Sequence, residues 1–248
     1  MTVFSFQLYS ARNFPPLSDT LALLSKLDYA SVEGFGGLYG DPEGLRRDLD
    51  ANELTMPTGH FGLDQLRDRD WAVKTAKTIG IDTLFCPAIP REKWEQPEED
   101  WTALASELGE LGKFYKDQGF GFGWHNHQFE FWPPASGRLP RDILLDGAPD
   151  IDWEMDLAWV VRGDNDPKKW IKDHGHRIVA VHLKDIAKPG EAEDEDGWAD
   201  LGHGTIDWRA MFEQIKSHTN ATQFVMEHDN PNDLERFARR SIETAKSL

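Results

Sequence analysis

Short apolar segments typical of β-strands alternate with amphipathic helical segments from one end of this 248-residue chain to the other. The expected strands are Val3–Tyr9, Ala30–Gly34, Thr55–Gly62, Thr83–Ala88, Gly121–His127, Ile151–Asp156, Ile178–Leu183 and Gln223–Glu227. The expected helices are Leu17–Leu27, Pro42–Ala51, Leu63–Ile79, Glu98–Gln118, Arg141–Gly147, Pro167–His174, Trp208–Ser217 and Pro231–Leu248. Strands that alternate with helices pair in parallel, and eight such units in about 250 residues are typical of a closed barrel. The sequence therefore predicts the α/β class and a single (β/α)8 TIM barrel domain over residues 1–248.

An open, doubly wound sheet is the structural alternative. Such sheets bind dinucleotides through a glycine-rich turn after the first strand. In this chain, residues 9–14, which begin with the last residue of the first expected strand, contain no glycine. The sequence therefore disfavours a nucleotide cofactor.

The charge of the chain limits its partners. The net charge is −17 and the pI is near 4.9, so nucleic-acid backbones and anionic membranes would be repelled over most of the surface. The N-terminal segment lacks a basic leader followed by an apolar stretch, and no run of about 18 apolar residues occurs. We expect a soluble, cytoplasmic protein that binds neither nucleic acid nor membrane.

The single cysteine, Cys86, lies in an apolar run over residues 83–87. This setting favours a buried core thiol over a catalytic nucleophile, and one cysteine excludes an intramolecular disulfide. A Gly-x-Ser-x-Gly nucleophile elbow is also missing from the sequence. Nucleophilic hydrolysis is therefore not expected.

Carboxylates and histidines recur where the later strands end: His125, His127, Glu130, Asp156, His182 and Glu227. Asp156 follows Glu130 by 26 residues and precedes His182 by another 26, close to one strand-plus-helix unit each time. Equivalent positions of successive units meet at the carboxyl end of a barrel, where active sites gather. Oxygen and nitrogen donors in this mixture suit Mn²⁺, Co²⁺, Mg²⁺ or Zn²⁺. The sequence predicts a divalent metal site with one ligand drawn from the segment 125–130.

Three further polar residues lie at or after strand ends, and each also has a structural explanation. Glu33 and His60 end the second and third expected strands and are candidate substrate contacts or hydrogen-bonded buried groups. Lys184 follows the seventh strand, on the face of its last histidine, and is a candidate catalytic group. Its structural alternative is a salt bridge with Asp185 or Glu154.

Two segments interrupt the regular alternation, residues 132–137 after the fifth strand and the acidic residues 189–197 after the seventh. Long loops are uncommon inside a compact domain, and in a barrel both would lie on the active face. The acidic segment is either a solvated loop or a lid over the site.

With these residues in place, the chain resembles the xylose isomerase-like barrel superfamily of sugar isomerases and epimerases. That superfamily includes tagatose and psicose epimerases, inosose dehydratase and the catalytic subunits of keto-glycoside lyases. The resemblance extends from residues 6–9 to Glu227. Family members hold one divalent ion with a Glu, an Asp, a His and a second Glu from successive strands. The resemblance implies that Asp156, His182 and Glu227 are the last three of these ligands.

The first ligand differs from the epimerase pattern. Epimerases have a Glu near the end of the fifth strand, where this chain has His125-Asn126-His127 followed by Glu130. We expect Glu130 to be the first ligand, with His125 as its substitute. The Trp-His-x-His string resembles the inosose dehydratase and keto-glycoside lyase branches more than the simple epimerases.

The resemblance also suggests substrate contacts. His60 lies where the family often has a substrate-contacting His, and residues 201–208, which include His203, resemble the family's Gly-x-Gly loop before the seventh helix. Trp159 stands three residues after the expected ligand Asp156, where the epimerases have a His. It is either an apolar wall that stacks on a sugar ring or a core aromatic residue.

The metal site and the resemblance together predict a sugar isomerase or epimerase. The enzyme would remove the proton alpha to the carbonyl of a keto-sugar, through an enediolate that the ion stabilises. Mn²⁺ is the expected ion, with Co²⁺, Mg²⁺ and Zn²⁺ as alternatives. Glu227 is the expected base as well as a ligand, and His125, His127 and Lys184 are the other expected catalytic groups.

Other functions stay open on the sequence alone. Loss of a beta substituent would make the protein a metal-dependent lyase or dehydratase of 3-keto-glycosides or related keto-sugars, which the extra histidines favour. A metal-dependent endonuclease is opposed by the acidic charge. A non-catalytic sugar-binding protein has no need for surplus acid–base groups around a metal. The expected partner is a small unphosphorylated sugar, and a homo-oligomeric state is left open.

Overall fold

A computed structural model of the protein describes residues 3–134 and 137–248. Within them the strands are β1 (Phe4–Gln7), β2 (Ser31–Phe35), β3 (Thr55–His60), β4 (Thr83–Cys86), β5 (Gly121–His125), β6 (Asp152–Asp156), β7 (Ile178–Leu183), β8 (Asp185–Ile186), β9 (Trp198–Ala199) and β10 (Gln223–Met226). All but β8 and β9 pair in parallel and close a barrel in the order β1-β10-β7-β6-β5-β4-β3-β2. The predicted eight-stranded α/β barrel is confirmed.

Helices cover the outside of this barrel. They are α1 (Leu17–Lys26), α2 (Pro42–Ala51), α3 (Leu63–Arg67), α4 (Arg69–Ile79), α5 (Glu98–Asp117), α6 (Pro140–Gly147), α7 (Leu157–Arg162), α8 (Pro167–His174), α9 (Trp208–His218) and α10 (Leu234–Ser247). Among the described residues, no helix has the length and apolar character needed to cross a membrane.

Two helical features differ from the sequence-based expectation. The single helix expected over 63–79 is interrupted at Asp68, whose carboxylate accepts a hydrogen bond from the backbone of Trp71 and so starts α4. The short helix α7 was not predicted. It begins directly after β6 because the Asp156 carboxylate caps it, accepting from the backbone N–H of Trp159 at 2.8 Å.

Several strands end one or two residues earlier than expected. β5 stops at His125 rather than His127. The next residue, Asn126, bonds through its side chain to both backbone groups of Asp156, at 3.0 and 3.1 Å. This contact replaces a ladder hydrogen bond and turns the chain over the top of β6. Of the long loop expected over 132–137, Ala135 and Ser136 lie outside the described residues.

The acidic loop after β7 is part of a small antiparallel hairpin formed by β8 and β9, which the sequence analysis did not anticipate. Its base is fixed by the Asp185 carboxylate, which accepts backbone hydrogen bonds from Gly202 and Gly204 at 2.9 and 3.1 Å. A Cβ atom at Gly204 would collide with this carboxylate, so the close approach requires glycine.

The tip of the hairpin is held against the barrel by polar contacts. Glu195 pairs with Arg236 of α10, and Asp194 accepts a hydrogen bond from Asn232 at 2.6 Å. On the other side, Arg162 of α7 donates to the carbonyl of Asp196 at 2.8 Å. The acidic segment is therefore held in place by contacts with α7 and α10 rather than being a freely solvated loop.

The Cys86 thiol is buried at the end of β4, as predicted, and burial raises its pKa to about 12. Because the thiolate is the reactive form, we expect the native protein to resist alkylation by iodoacetamide near neutral pH. The same cysteine should be alkylated fully after unfolding in urea. Mass spectrometry of the two samples measures the difference, and rapid alkylation of the native protein would contradict the buried position.

Candidate active site

A cavity of about 730 Å³ opens at the carboxyl end of the barrel strands. Its polar lining includes His60, His125, His127, Glu227 and Asp229. Its aromatic lining includes Tyr9, Phe35, Trp94, Trp159 and Trp198. The volume is within the usual range for small-molecule sites, and the mixture of charged and aromatic groups suits a polar ligand with an apolar face or substituent.

Four buried residues at or directly behind the cavity wall bring their ligand atoms together. One nitrogen or oxygen atom from each of His125, Asp156, His182 and Glu227 lies within 4.8 Å of those of the others. His125 ends β5, Asp156 ends β6, His182 lies on β7 and Glu227 follows β10. Since these strands are neighbours in the barrel, their carboxyl ends place the four side chains around one point.

The hydrogen bonds of this group leave atoms available for a cation. Asp156 uses one carboxylate oxygen to cap α7, and the other, Oδ2, is buried without a hydrogen-bond partner. That oxygen lies 4.0 Å from His182 Nδ1, which lies 3.0 Å from Glu227 Oε2. A buried carboxylate oxygen without a donor is costly, and a divalent ion would satisfy it. Carboxylate oxygens and imidazole nitrogens are ligands that Mn²⁺ and Zn²⁺ accept. The residues therefore fit a divalent metal ion.

One of the two histidines of this group, His182, lies in a strongly negative environment. Burial lowers the pKa of His182, but three neighbouring carboxylates raise that pKa well above its ordinary value. These belong to Glu154, Glu227 and Glu33. A cation at this position is favoured for the same reason that a proton is.

The pKa values of the two carboxylates in the group, Asp156 and Glu227, are shifted in opposite directions. Burial raises the pKa of Asp156 to about 6. Burial also opposes ionisation of Glu227, yet Lys184 and His182 beside it bring its pKa well below the ordinary value. Glu227 is therefore ionised at neutral pH even without a metal.

Lys184 is fully buried and belongs to the same cluster. Its ammonium lies 2.5 Å from Asp229 Oδ2, 3.1 Å from Glu227 Oε2 and 3.7 Å from Asp156 Oδ2. The salt bridge expected as the structural alternative for Lys184 is therefore present, but not with Asp185 or Glu154, because those two carboxylates bond to backbone amides and to histidines respectively. Asp229 therefore provides the close counter-charge that the sequence analysis did not assign.

The same ammonium is bounded by two indole rings. Its nitrogen lies 4.6 Å from the ring centre of Trp159 on α7 and 4.3 Å from that of Trp198 on β9. Both contacts are cation–π interactions, which strengthen when water is excluded. Trp159 is thus a half-buried wall of the cavity rather than a residue of the hydrophobic core.

Deeper in the barrel, two further carboxylates contact the histidines. Glu154 Oε2 lies 2.6 Å from His60 Nε2 and 3.1 Å from His125 Nδ1. Glu33 Oε1 lies 2.7 Å from His182 Nε2 and 3.2 Å from His60 Nε2. His60, His125, Glu154 and His182 form a second group whose ligand atoms lie within 4.8 Å of one another.

The structure does not bring Glu130 into either group, so the expected first ligand differs from the one that the geometry offers. Its carboxylate turns away and accepts hydrogen bonds from the Trp124 indole at 2.9 Å and the His127 backbone at 2.8 Å. Its second oxygen pairs with Arg141 of α6 at 3.2 Å. The cause is the short 3-10 helix over 128–131, which carries Glu130 back beneath the strand end. The substitute named from the sequence, His125, is grouped with Asp156 instead.

The four expected substrate contacts divide into two that line the cavity and two that do not. His60 and Trp159 line it, as does His127, which was expected as a catalytic group. Glu33 is fully buried beneath the histidines, and His203 is exposed on the loop before α9. Nδ1 of His127 is buried without a hydrogen-bond partner. Burial lowers the pKa of His127 well below its ordinary value, so its ring is neutral.

Sequence reasoning gave no role to three residues that complete this site: Glu154, Asp229 and Gln7. Glu154 precedes Asp156 by two residues on β6, and this spacing places both on one strand face, a signal that was available. Asp229 lies beyond the end of β10, and Gln7 acts through Glu33, so neither carries such a signal.

Comparison with known proteins identifies relatives of the whole barrel. Residues 21–248 match the model of the family described as xylose isomerase-like TIM barrel. An inosose dehydratase of Bacillus velezensis is 22% identical over 264 residues, covering 90% of this chain and 87% of the relative.

Two solved structures share the fold at lower identity. A sugar phosphate isomerase/epimerase from Parabacteroides distasonis superposes with a TM-score of 0.81 at 19% identity, covering 100% of this chain and 94% of that one. The IOLI protein, whose structure holds a zinc atom, superposes with a TM-score of 0.75 at 15% identity, covering 100% and 96% of the two chains.

Proposed function

The chain belongs to the xylose isomerase-like TIM barrel family, and from this membership we propose that it is a divalent-metal-dependent enzyme that removes a proton alpha to the carbonyl of a keto-sugar. Proteins similar to this chain include a sugar phosphate isomerase/epimerase and an inosose dehydratase. Both classes of reaction can begin with the loss of such a proton. The proposal covers the isomerase, epimerase and eliminating outcomes of that step.

The observation that carries the proposal is the unpartnered, buried Oδ2 atom of Asp156 among the donors of His125, His182 and Glu227. These four residues would hold the ion, which would supply Lewis-acid stabilisation of negative charge at the substrate carbonyl oxygen. Mn²⁺ and Zn²⁺ both suit the donor set. Glu130 is not part of this proposed ligand set, because its oxygens are engaged elsewhere.

Glu227 is the proposed base. Its carboxylate lines the cavity and is ionised at neutral pH, because Lys184 lies 3.1 Å from it. Lys184 in turn is held by Asp229 and by the indoles of Trp159 and Trp198. This environment keeps the ammonium charged and fixes its position beside the base.

The neutral His127 ring is the proposed second acid–base group. Its Nδ1 atom has no protein partner, and the residue lines the cavity next to His125, with ring centres 5.0 Å apart. A neutral imidazole can accept a proton at one nitrogen and donate from the other. It can therefore serve a group on the substrate at a distance from Glu227.

A lyase or dehydratase acting on keto-glycosides or related keto-sugars is the second candidate. The aromatic lining favours it, because Tyr9, Phe35 and Trp94 extend the cavity beyond the polar residues. An apolar substituent of a glycoside would contact these rings, and the N–H of the neutral His127 imidazole would donate a hydrogen bond to the departing oxygen. Elimination and isomerisation share the removal of the proton and differ only in the later fate of the enediolate.

The proposed reaction is tested by incubating the full-length, metal-loaded protein with a panel of keto-sugars and keto-glycosides in D₂O. We expect deuterium at the carbon alpha to the carbonyl, and loss of the exchange when the metal is removed with EDTA. Because the base can shield its proton from solvent, substrate deuterated at that carbon should also show a primary isotope effect. The mass of the product separates isomerisation from loss of a substituent.

Asp156→Asn is a suitable control, since it alters one proposed ligand while leaving the cavity lining unchanged. Turnover of several substrates with neither exchange nor an isotope effect would overturn the proposed proton abstraction. Equal turnover by metal-loaded and metal-free protein would overturn the proposed metal dependence.

A further inference from the structure

Two buried carboxylates, Glu33 and Glu154, lie against the histidines of the site but outside the proposed ligand set. Neither side chain lines the cavity. Each uses one oxygen to bond to histidines, and each leaves its other oxygen without a partner. Burying a carboxylate destabilises the folded protein unless the group makes specific contacts, so the contacts of these two residues are informative.

Glu33 contacts one of the two ring nitrogens of His182. Its two nitrogens face different carboxylates: Nε2 lies 2.7 Å from Glu33 Oε1, and Nδ1 lies 3.0 Å from Glu227 Oε2. A metal-bound histidine presents the lone pair of one nitrogen to the ion and donates the N–H of the other, commonly to a carboxylate. With Nε2–H donated to Glu33, the nitrogen left for the ion is Nδ1, on the side of Glu227.

Glu33 is itself held by the neighbouring strand. Gln7 of β1 is paired in register with Glu33 of β2, and its side-chain amide donates to Glu33 Oε1 at 2.8 Å. The amide oxygen of Gln7 accepts from the backbone of Tyr9 at 3.0 Å. This second contact orients the amide so that its NH₂ group points at Glu33.

His125 also contacts a buried carboxylate, but through its other ring nitrogen. Its Nδ1 atom lies 3.1 Å from Glu154 Oε2, so Nε2 is the nitrogen left for an ion. The two proposed histidine ligands would thus bind through different ring nitrogens. Glu154 Oε2 also lies 3.4 Å from His182 Nε2, but Glu33 Oε1 is nearer to that nitrogen, at 2.7 Å.

We infer that Glu33 and Glu154 are positioning residues that fix the tautomers of His182 and His125, with His182 binding the metal through Nδ1. The inference rests on the proposed function, in which the ion lies among His125, Asp156, His182 and Glu227. The opposing arrangement places the ion in the deeper group with His60, where Glu154 would be a ligand and His182 would bind through Nε2.

Nitrogen-15 NMR of the full-length protein, labelled at histidine and loaded with Zn²⁺, separates these arrangements. A metal-bound ring nitrogen and a protonated one have different chemical shifts and couplings, and a His182→Gln sample assigns the signals. We expect His182 to show a metal-bound Nδ1 and a protonated Nε2. A metal-bound Nε2 would overturn the inference.

Zinc affinity, measured by competition with a chelating dye, gives an independent readout. Glu33→Leu removes the acceptor of Nε2–H and should weaken binding by about 10–100-fold, the usual effect of losing such a contact. Glu33→Gln retains an acceptor oxygen and should recover part of this loss. Glu110→Leu, on the exposed face of α5, is the matched control and should bind zinc as the unmodified protein does.

The outcomes separate failure of the inference from failure of the proposed function. If the unmodified protein binds no divalent ion, the proposed metal dependence fails. If it binds zinc and Glu33→Leu binds zinc equally well, only the positioning role fails. Should Glu33→Leu not fold, Gln7→Leu removes the support of Glu33 and should weaken zinc binding in the same direction, while the NMR test needs neither variant.

Discussion

Glu227→Gln should lower the rate of deuterium exchange into a keto-sugar substrate by about 10²–10⁴-fold, the usual contribution of a general base. Glutamine has nearly the same shape and keeps an oxygen on the metal side, but it cannot accept the proton. The neighbouring Lys184 would also lose one of its close carboxylate partners. The rate is measured by NMR in D₂O with each protein loaded to the same metal content.

Equal metal content matters because Glu227 is also a proposed ligand. Metal analysis of the variant separates loss of the ion from loss of the base, and His203→Gln, on an exposed loop, serves as the control with unchanged activity. A fully loaded Glu227→Gln protein that exchanges deuterium at the original rate would assign the base to another group. His127 would then be the next residue to replace.

Arg141→Met should destabilise the protein by about 3–5 kcal/mol, because it leaves the Glu130 carboxylate buried without its partner. Both side chains are completely buried and lie 3.2 Å apart, and Arg141 also stacks on Trp153 with 4.2 Å between guanidinium and ring centre. Burial raises the pKa of Glu130 to about 7 even with Arg141 present. The free energy of unfolding is measured by urea denaturation.

Two control variants test the cause of this loss. The double variant Glu130→Gln/Arg141→Met removes both charges and should regain most of the stability, since a buried ion pair can often be replaced by neutral groups at little cost. Arg239→Met breaks the exposed pair with Glu235 and should change the free energy of unfolding by less than about 1 kcal/mol. A loss below about 1 kcal/mol in Arg141→Met would show that Glu130 does not depend on the arginine.

The barrel was predictable from the sequence because its signal is repeated in every unit. Alternating strand and helix patterns locate all eight barrel strands, and their ends are wrong by only a few residues. The grouping of Asp156, His182 and Glu227 follows from the same regularity, since each lies at or next to the end of one of three neighbouring strands.

The direction of the Glu130 side chain was not predictable, because it depends on the conformation of the loop after β5. The spacing of Glu130 from Asp156 matches one barrel unit, yet a 3-10 helix turns the side chain toward Arg141 on α6. Spacing along the chain gives the strand end but not the direction of a side chain in the loop after it. The pairing of Gln7 with Glu33 is hidden for a related reason, since it requires the register between β1 and β2.

Barrel enzymes often acquire new activities by exchanging the loops that follow their strands, while the barrel itself is kept. In this protein the hairpin after β7 does not meet the requirement for such an exchange. Its second strand supplies the Trp198 ring that covers the Lys184 ammonium, and its tip is bonded to α7 and α10. A transplanted loop without that tryptophan would open the buried Lys184 charge to water and alter the environment of Glu227, the proposed base. We therefore expect changes in the loop after β7 to be point substitutions that keep Trp198, or to come together with replacement of Lys184.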